Sequence, residues 1–396
     1  NANGVYGDGN SWDTIWDSAG RINDWGYVVE MALPFSSFRF QHVEGPQTWG
    51  IDAVRSYPRG VRRHLTLYPR DRDNNCYFCQ MQKIVGFEGV TPGRNVEIAP
   101  TFSAIRAQER EDRVSGPFED TDEIYDLGVT GRWGVTPSVT FVGAVNPDFS
   151  QVEADVIQLD VNTRYALWYE EKRPFFLETA GLMGDVYTRN IADPVWGAKL
   201  TSKSGKNGFG VLLARDEETN LLIPGSQSSS RAFLDRQSTA ASFTYIRDVG
   251  ENGGLEFSLM DREGGDYLNR VGRVEGQFWL TESEMVEFGL AASRTAYPDA
   301  VVEEHDQPDG DFAGESYAAC YNHSTSGWDW YTYYSGSSEG FRSDLAFNPS
   351  VGRWGHGSGI GHTWRAGAEN WFTMLNIGGG YDYDEELSGA PHSRDW

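Results

Sequence analysis

From about residue 95 onward, the chain repeats segments of about ten residues in which apolar side chains alternate with small or polar ones. In Asp126–Trp133, for example, Leu127, Val129 and Trp133 alternate with such residues, and Ser138–Val145 repeats the pattern after a turn. A period of two is typical of a strand whose two faces meet different surroundings. About 9 to 11 residues is also the length with which a tilted strand crosses a bilayer. The pattern therefore predicts an all-β chain that forms an antiparallel transmembrane β-barrel.

Four further pairs of alternating segments are joined by short polar connections, which predicts a series of hairpins. The paired segments are Trp196–Ser202 with Phe209–Arg215, Thr239–Arg247 with Leu255–Asp261, Arg273–Leu280 with Met285–Arg294, and Tyr317–His323 with Trp328–Tyr334. Other connections are long, as at 216–237 and 297–315, and such alternation is typical of outer-membrane barrels. Trp364 and Trp371 lie near strand ends, as in interfacial girdles. A soluble β-sandwich could show similar alternation.

Composition favours many short strands. The 396 residues include 46 Gly, 14 Trp, 19 Tyr and 21 Phe, which suit tight turns and strands better than helices. The net charge of −25, from 58 acidic and 33 basic residues, argues against nucleic acid as a partner. We interpret this charge as a solvated acidic surface, with a cation-bridged or cation-selective surface as the alternative.

Residues 1–94 predict a smaller β-rich region. Trp25–Pro34 alternates and ends at a proline, which cannot donate to a strand ladder, so we expect a strand there. A second strand is predicted near Thr48–Tyr57, and the Gly- and Pro-containing stretch Lys83–Arg94 predicts a linker. No signal peptide opens the chain, and we expect a fragment or a processed form.

The three cysteines are too few for a disulfide framework, and their spacing does not make a four-ligand zinc site. Cys76 and Cys79 form a C-x-x-C motif, whereas Cys320 stands alone. A redox pair is one interpretation of the motif. No thioredoxin-like βαβ pattern surrounds it, so we favour a local disulfide in a loop.

A charged segment near 146–185 departs from the strand pattern. Its charged residues include Asp148, Glu153, Asp155, Glu171, Arg173 and Glu178. Two of the carboxylates could serve as acid and base of a glycan hydrolase, or their oxygens could hold Ca²⁺. Alternatively, the charges form an ion-pair network in an inward-folded segment that closes a lumen or braces its wall. We favour the network, because no histidine or nucleophilic serine or cysteine accompanies the carboxylates.

Two runs within this segment are long and specific. Asn146–Asp155 and Glu171–Glu178 closely resemble the signature of a bacterial outer-membrane barrel family whose members carry an N-terminal domain like carbohydrate-binding module family 9. The resemblance extends through Arg21–Phe40, Thr48–Asp52 and Pro92–Asn95, so it covers most of the chain.

The resemblance implies part of a periplasmic β-sandwich with a linker at 1–94 and an outer-membrane barrel at 95–396. It also implies a role in binding or passing carbohydrate or another nutrient. Trp12, Trp16 and Trp25 are candidates for stacking on sugar faces, with packing in the sandwich core or at a fragment edge as the alternative. Pro391–Trp396 does not follow an alternating pattern, so we expect the barrel to be incomplete in this chain.

We therefore expect an outer-membrane protein whose partners are lipid and a carbohydrate ligand, without catalytic residues, metal or cofactor. A membrane-associated glycan hydrolase that uses carboxylates of the 148–178 segment is the first alternative. A secreted, adhesin-like sandwich is the second, and it would expose no apolar belt. The histidines lack metal-ligand spacing and are scattered at His64, His305, His323, His356 and His362.

Overall fold

The computed structural model describes residues 16–35, 38, 40, 44–57, 63–74, 76–90, 96–110, 117–147, 155, 158, 163–177, 180–250, 252–367 and 369–395. Strands dominate these residues, which confirms the predicted all-β class. No helix among them has both the length and the apolar character needed to cross a bilayer.

The N-terminal region forms three separate two-stranded antiparallel sheets, pairing β1 with β2, β3 with β6 and β4 with β5. The strands are β1 (Asp17–Asn23), β2 (Gly26–Ala32), β3 (Gln47–Ile51), β4 (Val54–Tyr57), β5 (Arg63–Thr66) and β6 (Gln82–Phe87). The single strand predicted near Thr48–Tyr57 is wrong, since β3 and β4 belong to different sheets. The predicted linker Lys83–Arg94 is also wrong at its start, because β6 pairs with β3.

Fourteen strands form one continuous antiparallel sheet. These are β7 (Val96–Arg110), β8 (Phe118–Thr136), β9 (Val139–Val145), β10 (Pro194–Ser204), β11 (Asn207–Asp216), β14 (Ser238–Val249), β15 (Gly253–Gly264), β16 (Tyr267–Trp279), β17 (Glu284–Ala296), β18 (Asp311–Ser324), β19 (Trp328–Ser337), β20 (Arg353–Arg365), β21 (Met374–Glu386) and β22 (Pro391–Asp395). Between β11 and β14, β12 (Thr219–Ile223) and β13 (Ser230–Leu234) form a hairpin of their own. All four predicted hairpins are present.

The edges of this sheet are β7 and β22, which do not pair with each other in the part of the chain described. A closed barrel therefore remains a prediction. The expectation that the tail 391–396 follows no strand pattern is wrong for Pro391–Asp395, because β22 pairs with β21. A register shift next to Pro391 explains why the alternation is hard to see in the sequence.

The large sheet has two chemically different faces. On the face that we call outer, cross-strand neighbours are apolar, such as Phe243 opposite Leu259, and Leu259 is 61% exposed. On the opposite, inner face, Thr244 lies opposite Ser258, and both are buried. The predicted alternation thus separates an exposed apolar surface from a covered polar one.

The connections at the two ends of the sheet differ in length. At one end, the turn end, four hairpins close in short turns at 205–206, 250–252, 280–283 and 325–327, and the connection at 366–373 is longer. At the other, the loop end, the long connections span 146–193, 217–237, 297–310 and 338–352, and short turns lie at 265–266 and 387–390. The predicted contrast between short turns and long loops is therefore present.

The connection between β9 and β10 covers the inner face. Residues 163–177 and 180–193 of this connection, the inner segment, contain α1 (Pro174–Leu177) and 3₁₀ turns at Ala180–Leu182 and Thr188–Asn190. Its apolar side chains enter a core with residues from the inner faces of β9 to β16, including Phe176, Met183, Ile191, Leu212 and Met260. These residues therefore pack over the inner face of the sheet.

A second layer closes the loop end. Residues 338–352, the capping loop, add Phe341, Leu345 and Val351 to the same core. The backbone amide of Tyr187 donates to the carbonyl of Leu345 at 2.7 Å, which joins the capping loop to the inner segment. Beside it, the β12–β13 hairpin and α2 (Asp299–His305) form a smaller apolar cluster.

Substitution of Gly210 should displace the inner segment. A Cβ on Gly210 would lie 1.9 Å from the carbonyl oxygen of Leu182, so Gly210→Ala forces the backbones apart and should cost about 1–3 kcal/mol or more. We expect faster trypsin cleavage after Arg189 in Gly210→Ala than in the native protein. Gly379→Ala is the control, because a Cβ there meets no atom within 4 Å. Equal cleavage of both variants would contradict the docking.

Candidate functional site

Three of the six predicted cluster residues can be placed. Asp155, Glu171 and Arg173 lie in the described chain, whereas Asp148, Glu153 and Glu178 lie outside the described residues. Asp155 pairs with Arg189, at 2.6 Å and 2.9 Å. The placed residues therefore form two neighbouring ion pairs.

Arg173 and Glu171 form the more buried of these pairs. The guanidinium donates to both carboxylate oxygens, Nε to Oε1 at 2.9 Å and Nη2 to Oε2 at 2.7 Å. Arg173 also donates to the carbonyls of Ile191 and Thr188, each at 2.7 Å. It stacks over the ring of Phe176 at 4.3 Å. The side chain of Arg173 thus links residue 171 to residues 188 and 191 of the inner segment.

The ionisation of Glu171 follows from these contacts. Burial acts to raise the pKa of its carboxyl, but the hydrogen bonds and charge of Arg173, with the hydroxyl of Thr188, outweigh burial and hold that pKa below its usual range. A general acid near neutral pH needs a raised pKa. Glu171 is therefore suited to holding the segment and not to donating a proton.

A buried polar network that the sequence did not predict lies at the loop end. Arg262 and Asp216, both fully buried, pair at 2.8 Å. Asp344 of the capping loop accepts hydrogen bonds from the hydroxyls of Tyr267 at 2.7 Å and Tyr297 at 2.9 Å. Burial raises the pKa of Asp344, and the two phenol donors oppose that rise.

This network holds the capping loop on the sheet. Asn269 accepts from the backbone amide of Asp344 at 3.0 Å and donates to the carbonyl of Arg342 at 3.1 Å. The one signal in the sequence is that Phe341 and Leu345 flank these charges within a loop, since apolar residues beside charges indicate burial. The partners lie on distant strands, so the sequence alone could not pair them.

A cleft of about 520 Å³ opens on the inner face beside the inner segment. We call it the acidic cleft, because its lining includes the carboxylates of Asp185, Glu256, Glu275 and Glu287. Arg273 pairs with Asp185 and with Glu275. The other lining groups include Gln277, Cys320 and Tyr333. Polar groups along a covered sheet face suit a water-filled path more than an apolar ligand site.

Metal-ligand geometry is absent from the residues that the structure describes, which contain no group of three or more His, Cys, Asp or Glu side chains placed to hold an ion. The predicted Ca²⁺ therefore gains no support from these residues. His323 and His362 instead lie in ring contacts with Trp330 and Trp328.

The remaining predicted residues lie in the N-terminal region. Cys76 and Cys79 are joined by a disulfide with Cα atoms 5.3 Å apart, and Cys320 is a free thiol. Trp16 and Trp25 are 42% and 78% exposed, so neither lies in a core, and Trp12 falls outside the described residues. A sugar-binding role for these indoles remains a prediction.

Comparisons with known proteins find one family model that matches part of the chain and a set of similar structures. A family model described as a domain of unknown function, DUF5916, matches residues 96–203, which include β7 to β9, the inner segment and all but the last residue of β10. No curated protein matches the chain.

The similar solved structures include outer-membrane proteins. OccK8 (OprE) of Pseudomonas aeruginosa is 10% identical, with 76% of this chain and 85% of that chain covered and a TM-score of 0.35. OpdQ of the same organism is 10% identical, with 78% and 76% covered and a TM-score of 0.35. OmpT of Vibrio cholerae is 11% identical, with 73% and 97% covered and a TM-score of 0.25. Similarity at this level carries no functional information, and the fold rests on the strand pairing within this chain.

Neutralising Glu171 should destabilise the inner segment. In Glu171→Gln, the buried guanidinium of Arg173 loses its counter-ion, which should cost about 3 kcal/mol. Glu263→Gln is the matched control, because Glu263 pairs with Arg270 where both side chains are 54% exposed, and such pairs contribute about 1 kcal/mol or less. Thermal unfolding followed by circular dichroism would compare the two variants. Similar losses of stability in the two variants would contradict the idea that the buried guanidinium of Arg173 depends on Glu171 as its counter-ion.

Acid should have a related effect on the native protein. The pKa of Glu171 is lower in the folded chain than its usual value of 4.5, so its stabilisation is complete above about pH 4.5 and is lost as pH falls through the folded pKa. As the pH is lowered from about 5 to about 3, the midpoint temperature of thermal unfolding should therefore decrease. Glu171→Gln should show a smaller decrease over that pH range. If the midpoint temperatures of the variant and of the native protein decreased in parallel, the carboxyl of Glu171 would not be the cause of the pH dependence.

Proposed function

We propose that the protein is an outer-membrane β-barrel that binds or passes a small polar nutrient at the cell surface. The observation that carries the proposal is the separation of the sheet into an exposed apolar outer face and a covered polar inner face. Outer-face residues such as Leu213, Leu259, Leu290 and Ile360 are 41% to 61% exposed, although each lies within a strand of the sheet.

Such a surface is unsuited to water. Soluble monomers rarely expose a continuous apolar patch of more than a few hundred Å². Here the apolar residues continue from strand to strand, as in Val211 opposite Phe243 and Phe243 opposite Leu259. Hydrocarbon would cover this face and leave the polar inner face toward a lumen. The same feature argues against the adhesin-like sandwich.

Aromatic residues at the turn end support the same placement. Trp328 and Trp364 are 49% and 42% exposed, and they lie at or near the turn ends of β19 and β20. Indole rings of this kind are enriched at the boundary between hydrocarbon and water. Short turns usually face the periplasm. Asp73 of the N-terminal region contacts Ser326 at the turn end, so this region would lie in the periplasm and the long loops outside.

The inner face supports a selective path and not a wide pore. The inner segment and the capping loop fill part of the space over β9 to β17, and the acidic cleft remains beside them. Carboxylates would favour cationic and hydroxylated solutes over anions. Carbohydrate is the nutrient class that we propose, supported by the exposed indoles of Trp16 and Trp25 and by the resemblance of the N-terminal region to a carbohydrate-binding module.

We propose no catalytic step. Of the carboxylates considered for glycan hydrolysis, Glu171 is engaged by Arg173 and Asp155 by Arg189. A hydrolase needs one carboxyl with a raised pKa beside a second that is ionised, and the pKa of Glu171 is lowered. Absence of hydrolysis of oligosaccharides by the purified protein is the expected result.

Membrane fractionation tests the proposal directly. The protein should be expressed with an added secretion signal, and the outer-membrane fraction should be compared by gel electrophoresis with and without heating. A heat-dependent mobility shift would support a folded barrel. Liposomes containing the protein should then admit small neutral or cationic sugars faster than acidic ones. Recovery only as a soluble protein would contradict the membrane location.

A charge on the outer face should impair membrane assembly. Leu259 lies near the middle of β15, so Leu259→Arg would place a guanidinium near the bilayer midplane at a cost of about 2–4 kcal/mol. The folded fraction on an unheated gel should decrease. Leu387→Arg is the control, because Leu387 is 51% exposed but lies in the turn between β21 and β22. Equal folding of the two variants would argue that the outer face meets water.

A further inference from the structure

One loop of the N-terminal region touches the turn end of the large sheet. The backbone amide of Ser326 donates to Asp73 Oδ1 at 2.5 Å, and the hydroxyl of Ser283 donates to the carbonyl of Asp73 at 2.8 Å. Arg365 donates to the carbonyl of Ser326. The hydrogen bond from Ser326, with a smaller effect of the charge of Arg365, lowers the pKa of Asp73. Ser283 and Ser326 lie in two consecutive turns, and Arg365 ends the next strand. Asp73 therefore joins two neighbouring hairpin turns and lies close to the charge that ends the next strand.

The loop that carries Asp73 is closed on itself. The Cys76–Cys79 disulfide shortens its far side. The side-chain amide of Gln80 accepts from the backbone amide of Asp71 at 2.7 Å and donates to the carbonyl of Asn74 at 2.8 Å. These bonds fix the loop around one central amide. A preorganised loop loses less conformational entropy when it docks.

The position of Asp73 within the loop is also fixed. Its backbone amide donates to the side chain of Asp71 at 2.9 Å, which is an Asx turn. This contact leaves the carboxylate of Asp73 directed to the turn at 325–327. The geometry is that of an acceptor presented to a backbone donor, as at a helix N-cap.

The base of the loop is tied to the N-terminal strands. Asp52, between β3 and β4, accepts from Arg70 at 2.9 Å and from the hydroxyl of Tyr77 at 3.0 Å. Arg70 also stacks over the ring of Tyr77 at 4.0 Å. The carboxylate of Asp52 is only 2% exposed. These contacts connect the loop that carries Asp73 to the N-terminal sheets.

We propose that this disulfide-closed loop, residues 70–74 and 76–80, is a docking element that holds the N-terminal strands on two neighbouring hairpin turns at the turn end through Asp73. A small pocket of about 290 Å³ lies at the same end, lined by Trp279, Ser283, Asn322 and Asp329 among others. Because Ser283 both lines the pocket and contacts Asp73, docking places the N-terminal strands at the rim of the inner face.

Hydrogen exchange of the purified full chain in detergent tests the docking, with the amide of Ser326 as the reporter. Asp73→Ala removes a charge-assisted hydrogen bond, so exchange in a peptide that contains Ser326 should become about tenfold faster. Glu88→Gln is the control, because Glu88 is an exposed acid of the N-terminal region. Ser283→Ala should give a smaller increase. Unchanged exchange in Asp73→Ala would overturn the proposal.

Reduction tests the contribution of the disulfide. A dithiol reductant would break the sulfur–sulfur bond of Cys76 and Cys79 to two thiols, and the reductant would become a cyclic disulfide. The same Ser326 peptide should then exchange faster, while peptides from the middle of β14 and β15 should not change. Equal protection before and after reduction would show that docking does not depend on loop closure and would overturn that part of the proposal.

Discussion

The covering of the inner face depends on one buried cation. Arg173 is 7% exposed, and a guanidinium is tolerated at that depth only when its charge and donors are engaged. Glu171 supplies the charge, and the carbonyls of Thr188 and Ile191 supply two acceptors. The chain must therefore fold back so that residues 188–191 lie beside residue 171. The aromatic and aliphatic side chains between residues 171 and 191 are thereby placed against the inner face of the sheet.

The strands themselves follow from local pattern. The segment Thr239–Arg247 and its partner Leu255–Asp261 lie within β14 and β15, because a period of two and a short Gly-containing turn together specify a hairpin. The same reasoning failed at Lys83–Arg94. There, Gly86 interrupts the alternation within β6, and the partner strand β3 lies more than thirty residues earlier. Period and turn chemistry predict neighbours in sequence but not such distant pairs.

The candidate site was predictable only in part. Charges near residue 171 indicated an ion-pair network, which is present for Glu171 and Arg173. The pairing of Arg262 with Asp216 and the burial of Asp344 were not predicted, since each becomes meaningful only after strands and loops from three parts of the chain meet. In the sequence, an acidic loop residue that becomes buried looks the same as one that stays exposed to water. Tertiary packing, and not local composition, decides which carboxylates leave water.

The inner segment also constrains the order of assembly. Because β9 pairs directly with β10, closure of that pair spans residues 146–193, at an entropic cost of roughly 3 kcal/mol. The segment packs on β11, β14 and β15, which follow it along the chain, so its docking surface does not exist until those hairpins have formed. Neighbouring hairpins can form from local contacts. The sheet would thus form first and the inner segment would pack on it afterwards. The expected intermediate is a sheet whose inner face is not yet covered.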